Sequence, residues 1–241
     1  MRSLTAKDIV GVWELIEHQT PIIKALTIIR AACPEMSADD IARLSIGERD
    51  RLLLLIRERM LGTRLESLAE CPMCAERLEF TLHTGDLRSE PAADLHAGRA
   101  ITSDHYRVEF RLIDSYDLID VATCSSVEEA RALLVDRAVV SAVHRGKPVR
   151  SAQLPENVVA LLAEAIAEHD PQAEVLLNLD CPACEHSWQV AFDIATFLWD
   201  EVHTTAVELL RDVHFIAVKY GWSEEMILSM SATKRKLYLE M

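Results

Sequence analysis

The chain carries one short element twice. LAECPMCAERLEFTL begins at Leu68, and LDCPACEHSWQVAF begins at Leu179. In each copy an acidic residue (Glu70, Asp180) precedes Cys-Pro-x-Cys, and alternating apolar and polar residues follow. A Cys-x-x-Cys turn sets two sulfurs apart by one edge of a metal tetrahedron, so two such turns supply the four soft ligands of a closed zinc site. Cys71, Cys74, Cys181 and Cys184 are therefore the expected ligands of one structural zinc ion, on two knuckles facing each other as in a zinc ribbon. The 106 residues between Cys74 and Cys181 then form an insertion between the two halves of the ribbon.

Other uses of four cysteines fit less well. A thioredoxin-like motif runs strand, CxxC, helix, so that the helix N-terminus lowers the thiol pKa. Here strand-like residues follow both motifs, and a redox motif needs no twin. Disulfides belong to oxidising compartments. Residues 1–11, MRSLTAKDIVG, lack the apolar stretch of a signal peptide, and apolar runs such as residues 52–56 are too short to cross a bilayer. A cytoplasmic chain with reduced thiols is expected. Inert structural cysteines would leave the repeat unexplained.

The metal is expected to hold structure and not to react, because four thiolates leave no open position for water. A hydrolase would need a displaced cysteine, and His186, two residues past a ligand, is expected to face solvent or the surroundings of the site. Zinc knuckles usually place Gly after the second cysteine, where φ tends to be positive. Ala75 and Glu185 stand there instead, a strain of about 1 kcal/mol at each. Zinc binding in small fingers is worth about 10–16 kcal/mol, which outweighs it. Cys33 and Cys124 read as small buried hydrophobes. His203 and His214 lie eleven residues apart on one helix, too far to share a metal. No phosphate-cradling Gly-rich loop, nucleophile elbow or catalytic triad signature is present, so the chain is expected not to be an enzyme.

Composition sets the fold class. Half the residues are hydrophobic, but only 5% are aromatic and seven are Gly, which favours helices over a sandwich or barrel. The expected fold is α+β and mainly helical, with a zinc-ribbon-like β element split by a long insertion and helical segments at both termini. Residues 1–62 form the N-terminal helical segment. Its starts are Thr5 with Asp8, Thr20-Pro21, and the capping box Ser45 with Glu48; Gly62 closes its last helix. Residues 63–113 hold the first knuckle and its strands, with a flexible loop at 85–100. Residues 114–171 form a helical insertion, 172–193 the second knuckle, and 194–241 the C-terminal helices. The charge balance, 25 Lys plus Arg against 39 Asp plus Glu, gives −14 and repels phosphate backbones. The one dense basic run, Lys234-Arg235-Lys236, reads as a solvated helix face.

The run CPACEHSWQVAFDIATFLWDEV, followed by LLRDVHFIAVKYGWSEEMILSMSATKRKLYLEM, resembles the T-even-type baseplate hub proteins and baseplate hub assembly chaperones. These are encoded in clusters for contractile phage tails and extracellular contractile injection systems. The resemblance reaches back to LSIGERDRLLLLIRERMLGTRLESLAECPMCAERLEF and covers most of the chain outside residues 85–100. It implies a cytoplasmic, non-enzymatic protein of baseplate or hub assembly, either a transient chaperone or a component incorporated in the particle. Its partners would be baseplate, hub or spike proteins, with no nucleic acid and no membrane. Zinc would pin the two chain halves together, and Trp13, Trp199 and Trp222 are candidate anchors, although such tryptophans are more often core. The rival reading is a zinc-ribbon adaptor or regulator binding protein or nucleic acid. Near the cysteines, however, Arg64, Arg77 and Arg88 face Glu66, Glu70, Glu76, Glu79, Asp180 and Glu185, the wrong balance for a nucleic acid.

Overall fold

The computed structural model describes residues 1–89 and 99–241. Helices α1 (Ala6–Ile16), α2 (Pro21–Ala32), α3 (Ala38–Ala42) and α4 (Ile46–Leu61) come first. A hairpin of β1 (Arg64–Glu70) and β2 (Arg77–His83) follows. Next come β3 (Ala100–Ser103), β4 (Tyr106–Phe110), α5 (Ser115–Val121) and α6 (Val127–Ala138). Then β5 (Val139–His144), β6 (Lys147–Pro148) and α7 (Glu156–His169) lead to a second hairpin, β7 (Val175–Asp180) and β8 (Ser187–Phe192). The chain ends in α8 (Ile194–Tyr220), α9 (Glu224–Leu228) and α10 (Ala232–Glu240). The fold is α+β and mainly helical, as the composition led us to expect. The chain divides into two compact units: residues 1–41, 53–62 and 193–241, and residues 42–52 and 63–192.

Local chemistry sets most helix ends. Thr5 and Asp8 form a reciprocal capping box on α1, and Arg2 holds the Asp8 carboxyl far below the usual range by hydrogen bonding to it. Thr20 caps α2 with Pro21 in its first turn. Ser45 Oγ accepts from the Glu48 backbone N–H, while the Glu48 carboxylate accepts from the Ser45 N–H. Ser126, Ser223 and Ser231 cap α6, α9 and α10. Gly62 and Gly221 close α4 and α8 with φ of 85° and 68°, values that only glycine adopts without strain.

In the first unit α8 presents a stripe to α1, α2, α9 and α10. Ile194, Leu198, Val202, Ala206, Leu209, Val213 and Ile216 recur on that stripe, and all are buried. Ile9, Val12 and Ile16 of α1 and Ala25, Ile28 and Ile29 of α2 fill the same core. Trp13 is half-buried and donates its indole N–H to His203 Nδ1 at 2.9 Å; Trp199 is buried under Lys24 Nζ, 4.1 Å from the ring centre. Trp222 stacks on Tyr220 and meets the edge of Tyr238. All three candidate anchors are thus engaged within their own unit. Arg57 is buried, donates to Glu201 at 2.7 and 3.0 Å, and donates to the Gly62 carbonyl at 2.7 Å. Removing one partner of a buried pair leaves an uncompensated charge. Glu201→Ala is expected to lower the unfolding free energy by about 3 kcal/mol. Urea denaturation checks this, and an unchanged midpoint would rule out a stabilising pair.

In the second unit β3, β4, β5 and β6 form an antiparallel sheet in that order. The turn at Asp104 and His105 joins β3 to β4, and that at Arg145 and Gly146 joins β5 to β6; all four residues have positive φ, as tight hairpins require. Helix α7 packs on this sheet, with Val158, Leu162 and Ala165 against Val108, Phe110, Leu112 and Ala142. The expected helical insertion therefore includes two strands of this sheet, because Val139 to His144 leaves the helical period at the end of α6. Arg111 grips Asp117 with two bonds of 2.7 Å. Burial pushes the Asp117 carboxyl up, but Arg111 and the Asp114 backbone N–H outweigh it and hold it below its usual range. Of the expected loop at 85–100, residues 90–98 lie outside the described residues. Its near end is anchored: Leu87 is buried and its carbonyl accepts from Gln172. Ala100 already belongs to β3.

Asp170, just after α7, sits over the start of α4. Its carboxylate accepts from Ser45 Oγ and from the Gly47 backbone N–H, both at 2.9 Å. Burial raises its pKa in spite of those two bonds. A Cβ on Gly47 would lie 2.2 Å from Asp170 Oδ1 and 3.0 Å from the Ala173 backbone nitrogen, so no side chain fits. Gly47→Ala is expected to cost about 1–3 kcal/mol, the range for overpacking. A melting temperature equal to that of the parent would contradict this close approach.

Candidate metal centre

The two hairpins bring the repeated motif together. In the first, β1 and β2 pair antiparallel from Arg64 with His83 to Glu70 with Arg77. In the second, β7 and β8 pair from Val175 with Phe192 to Asp180 with Ser187. After the first motif the alternation read from the sequence holds, with Leu78, Phe80 and Leu82 half-buried between exposed neighbours; after the second, Trp188 and Phe192 are half-buried but Val190 is exposed. Each hairpin ends in the same turn. Cys71 N–H donates to the Glu76 carbonyl and Ala75 N–H to the Cys71 carbonyl, both at 2.9 Å. In the second hairpin Cys181 N–H donates to the His186 carbonyl and Glu185 N–H to the Cys181 carbonyl, again at 2.9 Å.

The four sulfurs lie within 4.8 Å of one another. Two of their contacts run crosswise, 3.7 Å from Cys71 to Cys184 and 3.6 Å from Cys74 to Cys181. The first cysteine of each knuckle thus meets the second of the other, which gives the junction an approximate two-fold symmetry. A zinc ion bonded to four thiolates at about 2.3 Å needs sulfur–sulfur edges of about 3.8 Å, so these edges suit a tetrahedral ion. A disulfide would need about 2.05 Å. In donor type, number and spacing the residues present fit zinc.

The electrostatics of the thiols point the same way. Burial raises the Cys181 thiol, but the Cys184 and Ala183 backbone N–H groups and the neighbouring sulfurs outweigh it and bring it down to about 7. The Glu76 backbone N–H favours the Cys74 thiolate, yet sharing hydrogens with Cys184, Cys181 and Cys71, together with burial, pushes that thiol up to about 12. The Cys184 thiol is likewise raised despite the His186 backbone N–H. Four sulfurs this close cannot all ionise without a cation among them, whereas a divalent cation stabilises all four as thiolates. Glu70, Glu76, Asp180 and Glu185, all exposed, lie within two residues of a cysteine in the chain, and their charge adds to that repulsion.

Two features bear directly on the sequence expectations. Ala75 and Glu185 have φ of 59° and 58°, the positive values expected after the second cysteine of each knuckle. His186 lies outside the four-sulfur cluster and stacks on Trp188, with ring centres 6.0 Å apart and planes 7° from parallel. Cys33 is buried at the end of α2, and Cys124 is half-buried after α5; both are free thiols. The backbone N–H groups of Glu76 and His186 were not singled out in the sequence, since any residue type supplies one.

A family model described as T4 bacteriophage base plate protein matches residues 4–199. The chain belongs to that family. No curated protein and no solved structure matches it. The matched region of this base plate protein contains both hairpins, all four cysteines and the entire insertion. It stops at Trp199, early in α8. Among the described residues no helix is long and apolar enough to cross a membrane.

Replacing Ala75 or Glu185 by Gly removes a left-handed strain, so each substitution is expected to stabilise the folded protein by about 1 kcal/mol. Thermal melts of the two variants check this, and a lower melting temperature in both would contradict relaxed knuckles.

Proposed function

We propose that the chain is a non-enzymatic assembly factor or component of the baseplate hub in a contractile tail or injection system, stabilised by one zinc ion. Cys71, Cys74, Cys181 and Cys184 hold that ion and fasten the two hairpins to each other. The observation that carries this reading is the family match over residues 4–199, which encloses the whole cysteine cluster. Zinc supplies a fixed link here and no reaction, since four thiolates fill a tetrahedral ion and leave no position for water or substrate. The chain works inside the cell, where its partners are baseplate, hub or spike proteins. The acidic rim of the site argues against a nucleic acid as the partner.

The first experiment is quantitative mass spectrometry of purified particles beside the cell lysate, with a pull-down on the tagged chain. Fixed stoichiometry in particles identifies a baseplate component. Absence from particles together with capture of hub or spike subunits identifies a chaperone that leaves. Absence from particles with no such capture would sink the proposal. Metal analysis of the same preparation is expected to give one zinc per chain. Cys71→Ser is expected to lose the zinc and to come out insoluble or partly unfolded, whereas a folded, catalytically silent variant would indicate a reactive metal.

A further inference from the structure

The arrangement of the sulfurs divides them by exposure as well as by hairpin. Cys74 and Cys184 are exposed; Cys71 and Cys181 are 1% and 2% exposed. Each of these two crosswise contacts joins one exposed sulfur of one hairpin to one buried sulfur of the other, at 3.6 and 3.7 Å. An oxidant arriving from solvent meets Cys74 and Cys184 first. In each case the buried cysteine of the opposite hairpin is in contact with that sulfur and placed to attack it once it is oxidised.

We infer that this cluster is also an oxidation site, at which a peroxide replaces the metal by two crosswise disulfides, Cys71–Cys184 and Cys74–Cys181. The inference rests on the reading that the four sulfurs hold zinc in the reduced protein. The exposed thiolate attacks a peroxide oxygen, which breaks the O–O bond and leaves a sulfenic acid. The buried thiolate across the junction then attacks that sulfur, the S–S bond forms, and the oxygen departs as water. For the whole cluster, two hydrogen peroxide molecules and four protons are consumed. Four thiolates are oxidised to two disulfides, both peroxides are reduced to four waters, and one zinc ion is released. Closing the gap from 3.6 or 3.7 Å to about 2.05 Å asks each sulfur to move by less than 1 Å. Side-chain rotation supplies that, and both hairpins keep their strand pairing. A bridge within either knuckle would instead leave the two hairpins unconnected once the metal has gone. In a baseplate component, crosswise bridges would preserve the junction once the particle leaves the reducing cytoplasm.

The test uses the full chain loaded with zinc alone and treated with hydrogen peroxide. Zinc release is followed with a chromogenic chelator, and tryptic peptides are then mapped without reductant. Residues 65–77 contain Cys71 and Cys74, and residues 151–211 contain Cys181 and Cys184, with no tryptic site inside either stretch. The expected product is these two peptides joined by two disulfides, four hydrogens lighter than their sum, with one zinc released per chain. Two separate peptides, each with an internal disulfide, would overturn the inference, and so would sulfinic or sulfonic acids without bridges. Cys74→Ser with Cys181→Ser leaves one crosswise pair and is expected to give a single link between the same peptides, whereas Cys74→Ser with Cys184→Ser leaves the two buried sulfurs and is expected to give none; a link in the latter and none in the former would overturn the inference. The outcomes separate this inference from the metal reading. A chain that takes up no zinc yet forms the crosswise links would refute the metal alone. A chain that binds zinc but oxidises within each knuckle would refute the crosswise bridges alone.

Discussion

A two-stranded hairpin is marginal in water, because it buries too little apolar surface to offset the ordering of its chain. The second unit contains two such hairpins as separate sheets, and along both of them roughly every other residue is exposed. The contact between their tips is what gives each a partner. It is made by sulfur, in a geometry in which thiols alone repel once ionised and a divalent cation attracts all four. Strand register matters because it aims the tips. Pairing Glu70 with Arg77 and Asp180 with Ser187 leaves the same six-residue turn at each end. A slip of one residue would turn one knuckle's sulfurs away from the other.

The insertion between the hairpins has to be a folded body for such a junction to be affordable. Joining two points across a flexible loop of about a hundred residues carries a large entropic penalty, although that penalty grows only slowly with length. Here most of the loop is already ordered. Helix α7 lies on the β3–β6 sheet through Val158, Leu162 and Ala165, and Asp170 at its end grips Ser45 and the Gly47 amide. Gln172 then holds Leu87 from the near side of the insertion. The chain segments that run into the first hairpin and out of the insertion are therefore tied down by side-chain bonds before the sulfurs meet.

What the sequence revealed follows from how local each signal is. Caps at Thr5, Thr20 and Ser45 depend on a hydroxyl and the three or four residues after it, so they were legible. The four cysteines and the positive φ at Ala75 and Glu185 were legible for the same reason: a CPxC turn dictates its own backbone. Pairings set by distant residues were not. Nothing near Asp170 announces that its carboxylate belongs to the start of a helix more than a hundred residues earlier, and Gly47 looks there like an ordinary helical residue. The short strand β3 and the break between α6 and β5 were missed as elements, because Val139 and Val140 continue an apolar run that suits helix or strand alike. The tryptophans read as candidate anchors are occupied by His203, Lys24 and Tyr238, partners that only the fold brings near.

The replacement of glycine by Ala75 and Glu185 at the two left-handed positions has a physical consequence for how the junction works. An L-residue held at φ near 58° resists that conformation by about 1 kcal/mol. Two knuckles thus start at a disadvantage of about 2 kcal/mol relative to glycine. A metal worth about 10–16 kcal/mol in small zinc domains removes that disadvantage easily. Nothing comparable does so while the sulfurs carry protons. The substitution therefore disfavours the joined hairpins while the sulfurs carry protons and takes about 2 kcal/mol from the advantage a metal gives. With glycine the turns would be partly organised without metal; with alanine and glutamate the same turns depend more heavily on what the sulfurs hold.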